Sequence, residues 1–113
     1  MATQNQQNND ATNTVLECMR LCIQCANECI DQGSKQLAAC IKLCQVCADI
    51  CALCVKCMAA GLSQSKVICS ACADVCDACA AECEKNQGGV ATMQQCAEAC
   101  RQCAQMCRQM AGA

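Results

Sequence analysis

The sequence predicts an all-α fold, an up-down-up-down antiparallel four-helix bundle with a cysteine-lined core. Three observations predict it. The chain of 113 residues has no proline and no aromatic residue, and it is rich in Ala, Gln, Leu and Met, which favour helix over strand. Nineteen residues are cysteine, and almost all follow alternating steps of three and four, which places them on one stripe of a helix. Helix-end signals divide the chain into four segments with short connections, so consecutive helices are antiparallel neighbours.

Residues 1–13 are polar, rich in Asn and Gln, and read as a flexible N-terminal tail. That leaves 14–113 as a single four-helix-bundle domain, in keeping with the chain length. Thr14-Val15-Leu16-Glu17 fits a capping box that opens a first helix running to about Gln32 and stopping at Gly33. Its stripe is Cys18, Cys22, Cys25 and Cys29. Ser34 can cap a second helix, which runs to about Ala60 and stops at Gly61, with Cys40, Cys44, Cys47, Cys51 and Cys54 in step and Cys57 off the pattern. Ser63 or Ser65 starts a third, carrying Cys69, Cys72, Cys76, Cys79 and Cys83 and ending near Asn86, before Gly88-Gly89. Thr92-Met93-Gln94-Gln95 fits a second capping box, opening a fourth helix with Cys96, Cys100, Cys103 and Cys107 that reaches about Met110.

The balance of charges excludes several classes of partner. A formal net charge of −2 gives no reason to expect nucleic acid or an anionic membrane. No apolar run is expected to span a bilayer. The start of the chain lacks the basic and apolar regions of a secretory signal, which points to the cytoplasm. Cytoplasmic thiols are kept reduced, so a cysteine pattern there suggests metal before disulfides.

A bundle normally fills these stripes with leucine. Cysteine buries less apolar area, and no aromatic residue compensates, so stability alone does not account for the pattern. Neighbours three or four apart on a helix have Cβ atoms roughly 5–6 Å apart. A disulfide needs about 3.5–4.5 Å, so bridges within one helix are strained. Among metals, zinc sites use four ligands, usually on short loops, and iron–sulfur clusters use compact spacings unlike a continuous stripe. Thiolates without imidazole favour Cu(I). One Cu(I) per thiolate also cancels the buried charge, whereas Zn²⁺ held by four thiolates leaves about two negative charges per site.

The C-x-x-x-C-x-x-C-x-x-x-C runs, with Cys47-Ala48-Asp49-Ile50-Cys51-Ala52 and Cys72-Ala73-Asp74-Val75-Cys76-Asp77-Ala78-Cys79, resemble the bacterial copper storage proteins, particularly their cytosolic branch. The resemblance covers about residues 14 to 110. It implies a four-helix bundle that stores many Cu(I) ions along its axis and assembles as an oligomer, with the stripe cysteines as ligands. Histidines usual near a bundle end in that family are absent here, so a histidine-assisted way in does not carry over.

The bundle end formed by the starts of helices one and three and the finishes of two and four is expected to hold Cys18, Cys54, Cys57, Cys69 and Cys107. Met58 and Met110 continue stripes there, with Met106 nearby, and their thioethers suit transient capture of Cu(I). The same methionines would equally serve as apolar filler, and Met93 extends a stripe at the opposite end. A second apolar stripe runs along Leu16, Met19, Ile23, Ala26 and Ile30 and along Leu43, Val46, Ile50 and Leu53. It lies about 100° or more around from the cysteines, which suggests a homo-oligomer through helices one and two. Glu98, Arg101 and Arg108 read as a solvated face. Nothing suggests catalysis: no histidine is present to serve a cysteine nucleophile.

The expected function is cytoplasmic Cu(I) storage, with multiple ions up to roughly one per cysteine. Partners are copper ions and copper-delivering proteins or chelators, with no nucleic acid and no membrane. The alternatives are a general soft-metal buffer for zinc or cadmium and a thiol–disulfide redox protein.

Overall fold

The computed structural model describes residues 2–112, with side chains from residue 9 onward. Met1 and the side chains of residues 2–8, part of the expected tail, lie outside the described residues. Four helices follow one another: α1 Ala2–Gln32, α2 Ala38–Ala60, α3 Ser65–Lys85 and α4 Met93–Met110, with a single 3₁₀ turn at Lys35–Leu37. They pack α1 on α2, α2 on α3, α3 on α4 and α4 back on α1, an up-down bundle 48 Å long and 20–22 Å across. Among the described residues there is no strand.

The ends of the first two helices fall where glycine permits a left-handed residue. Gly61 closes α2 at φ 66, its N–H reaching the carbonyls of Cys57 and Met58, and Gly33 follows α1 at φ 71. Ser34 caps the 3₁₀ turn, accepting from the Gln36 N–H at 3.3 Å.

Both expected capping boxes are corrected. The first helix begins at Ala2, not Thr14. Thr14 sits inside it and donates its hydroxyl back to the Asp10 carbonyl at 2.9 Å, the bond a helix-interior threonine makes. Glu17 pairs with Arg20 at 2.6 Å instead of reaching back to a cap. At α4 the Thr92 side chain makes no local cap. Its N–H and hydroxyl both donate to the Glu28 carboxylate of α1, at 3.1 and 2.7 Å. One backbone donor of the helix start is thus met from a neighbouring helix, while the Met93 N–H reaches the Val90 carbonyl at 3.2 Å.

Alanine sets how closely the helices approach. Ala73 and Ala80 on α3 and Ala97 and Ala104 on α4 are buried at spacings of seven, and small residues at that repeat bring helix axes together. Outside, Arg101 bridges Asp77 and Glu84, and Arg108 bridges Asp74 and Asp77. These solvated pairs tie α3 to α4 at small net gain.

The expectation that no apolar run could span a bilayer is corrected for Lys35–Ala60, which is long and apolar enough by length and composition. Cysteine weighs as apolar in hydropathy, and this stretch carries Cys40, Cys44, Cys47, Cys51, Cys54 and Cys57. All six are buried inside the bundle.

Candidate metal-binding core

The four stripes meet along the axis. All nineteen cysteines are free and buried, and every one but Cys57 is at most 1% exposed. At mid-bundle each helix contributes one thiol to a common layer. Cys18 lies 3.9, 4.0 and 3.7 Å from Cys47, Cys76 and Cys100, and Cys47 lies 3.6 Å from Cys76.

From that layer the column runs both ways. Toward the α3–α4 loop come Cys22, Cys44, Cys79 and Cys96, then Cys25, Cys40, Cys44 and Cys83. Toward the other end come Cys51, Cys72, Cys76 and Cys103, then the Cys54–Cys69 contact at 3.3 Å and the Cys103–Cys107 contact at 3.9 Å. Within each group of four, the sulfurs all lie within 4.8 Å of one another. A soft metal–thiolate bond is about 2.3 Å, so three sulfurs around one ion stand about 4.0 Å apart. The column already has that spacing. Sharing one sulfur between groups, as Cys44, Cys76 and Cys18 do, lets sites run on without a break.

The sequence placed Cys18 at a bundle end, and the structure corrects this to the middle. Helix α1 begins twelve residues earlier than its supposed cap, and its stripe continues upstream as Val15 and Ala11, 1% and 0% exposed. At the end bearing Cys54, Cys69 and Cys107, the α1 wall is therefore apolar. Cys57, one position off its stripe, is the most exposed cysteine at 8% and stands outside the continuous core. Met58 and Met110 pack half-buried against that core.

Thiols so close hold their protons jointly. Cys44 is pushed up by Cys22, Cys25, Cys40 and Cys79 and further by its burial. Burial foremost raises Cys29 to about 11. Cys79 goes the other way, held down to about 6 by S–H contacts from Cys100, Cys22 and Cys44 that support its thiolate. A few thiolates are thus stabilised by their neighbours, and each further ionisation is opposed. Emptying the column of protons needs cations in their place.

Comparison with protein families matches the copper storage proteins over residues 4–112. The chain belongs to that family. Solved structures agree at full length. Apo copper storage protein 3 from Bacillus subtilis is 41% identical, with a TM-score of 0.85 over 91% of this chain and 97% of that one. Its Cu(I)-bound form is 40% identical, with a TM-score of 0.86 over 93% and 98%. The Nmul_A1745 protein from Nitrosospira multiformis is 36% identical, with a TM-score of 0.85 over 96% and 97%. A comparison with curated proteins gives no match.

Sequence reasoning missed two kinds of residue. Ala11 and Val15 continue the α1 stripe at its own spacing; the supposed cap at Thr14 left Ala11 outside the helix and Val15 in its first turn. Met93 was read only as a stripe extension, yet its sulfur lies 3.7 Å from both Cys25 and Cys40.

Proposed function

We infer that this protein stores Cu(I) in the cytosol, taking many ions into its core thiols and limiting their reactivity. One observation carries the reading: an unbroken column of free, buried thiols whose 3.3–4.0 Å contacts suit two- and three-sulfur coordination. Each Cu(I) that replaces a thiol proton leaves the charge of the core unchanged, whereas isolated four-thiolate zinc sites would accumulate negative charge in it. The proposed ligands are the nineteen cysteines. Anaerobic titration of the reduced protein with Cu(I) against a competing chelator tests this. Saturation near one ion per thiol is expected, with Cu(I) held more tightly than Zn²⁺. Saturation after only a few ions, or preference for Zn²⁺, overturns it in favour of a general soft-metal buffer.

Copper is proposed to come in at the end bearing Cys54, Cys57, Cys69 and Cys107. Cys57 is the most exposed thiol, and Met58, Met106 and Met110 are half-buried toward the same end of the bundle. Thioethers bind Cu(I) without losing a proton and so can pass it on to thiols. The double variant Met58→Leu, Met110→Leu should load more slowly at unchanged capacity; stopped-flow rates equal to those of the unaltered protein reject this mouth. A homo-oligomer through α1 and α2 is also proposed, supported by exposed Leu16, Ile23, Ile30, Val46 and Leu53 on those two helices.

A further inference from the structure

Near the end of the column away from the proposed mouth, a methionine joins the thiol array one turn short of Cys29. Met93, the first residue of α4, is 1% exposed. Its Sδ lies 3.7 Å from Cys25 Sγ of α1 and 3.7 Å from Cys40 Sγ of α2. Those two thiols belong to a group whose sulfurs lie within 4.8 Å of one another. The three sulfurs form a triangle of the size that a three-coordinate soft ion requires.

The surroundings aim the thioether inward. A Cβ placed on Gly89 would stand 3.3 Å from Met93 Cε, 3.3 Å from Leu37 Cδ2 and 2.9 Å from the Asn86 carbonyl. The α3–α4 loop therefore passes close to the methyl end of Met93, with no room for a side chain at Gly89, while the Met93 sulfur faces the thiols. The register is fixed next door, where Thr92 is tied to Glu28, one turn along α1 from Cys25. A side chain kept only to fill space would not need its polarizable atom placed between two cysteines.

We propose that Met93, Cys25 and Cys40 form a mixed thioether–dithiolate Cu(I) site near the Gly89 end of the store, one turn short of Cys29. The proposal rests on the Cu(I)-storage reading. When Cu(I) binds, the Cys25 and Cys40 thiols release two protons to solvent, and Met93 gives a lone pair without proton loss. No electron is transferred. The site carries one net negative charge, where three thiolates would carry two. A neutral soft donor also favours Cu(I) over Zn²⁺, which prefers thiolate and imidazole.

The test uses full-length protein carrying [methyl-¹³C]methionine, reduced and titrated anaerobically with Cu(I). Six methionines give six methyl signals, and Met93 is assigned as the one absent from Met93→Leu. The Met93 methyl signal should shift during loading, and Met93→Leu should bind one Cu(I) fewer than the unaltered protein under the same chelator. A Met93 signal that stays in place through saturation, with Met93→Leu binding the same number of ions, overturns the site and leaves Met93 as core filler. Should Met93→Leu fail to fold, the signal in the unaltered protein still decides, its assignment then coming from Met93→Ile. A protein that binds few ions at all would instead sink the storage reading, which the titration itself records separately.

Discussion

At the scale of single residues, the store is bounded by what occupies the stripe positions. Helix α1 supplies Cys18, Cys22, Cys25 and Cys29 and then, at the same spacing, Val15 and Ala11. The thiols around the level of Val15 on the other helices thus face an apolar wall. Replacing Val15 with Cys should add a ligand beside an existing group and raise the number of Cu(I) ions bound. The exchange removes little volume, so its cost to the metal-free fold should stay below about 1.5 kcal/mol. Val15→Ala is the control: it opens the same space without a sulfur and should give no gain. Equal capacities for Val15→Cys and the unaltered chain, by anaerobic titration, would count against the column as a continuous set of sites. The cysteine stripes were legible residue by residue because period and chemistry coincide in them. Val15 and Ala11 were not, since alanine and valine on a helix carry no chemical signature.

At the scale of elements, the helices were legible where glycine ends them and misread where a polar residue begins them. Gly33 and Gly61 act through backbone conformation, which is local and therefore written in the sequence. Thr14 and Thr92 were misread because a capping box is a pattern of side chains that other partners can claim. Glu17 is claimed by Arg20, and Thr92 by Glu28 from sixty-four residues away. That long-range strap gives the Thr92 N–H and hydroxyl, at the start of α4, an anionic acceptor, favourable at a helix N-terminus. The Thr92 hydroxyl and N–H hold the Glu28 carboxyl below its usual range. Its contribution is therefore full above the ordinary carboxylate pKa of about 4.3 and fades as pH falls through the lowered native value. Thr92→Val should cost on the order of 1 kcal/mol at neutral pH, through loss of one charge-assisted hydrogen bond. Glu28→Gln keeps an acceptor oxygen but no charge, so its urea midpoint should fall less than that of the unaltered protein as pH is taken from about 5 down to about 2.5, through the lowered native value. Identical acid sensitivity in the two proteins would show that the strap carries no charge-dependent stability.

At the scale of the whole molecule, the two halves of the surface differ in kind. The α3–α4 side is dressed with Arg101, Arg108, Asp74, Asp77 and Glu84 in a chain of ion pairs, the mark of a face left in water. On the α1–α2 side, Leu16, Ile23 and Ile30 recur every seven residues at 38–50% exposure, and Val46 and Leu53 do the same at 53% and 45%. A thiol core explains none of this, because these residues point away from it. They repeat at the heptad spacing with which one helix pair packs on another, and a second copy of the same surface would cover them symmetrically. Ile23→Glu and Val46→Glu change exposed positions, so each should leave the fold and the Cu(I) capacity intact while placing buried charge in the contact. Analytical ultracentrifugation should then show the unaltered protein as an oligomer and the double variant as a monomer, each metal-free and copper-loaded. An unaltered protein that sediments as a monomer at tens of micromolar would end the interface proposal, without touching the storage column inside.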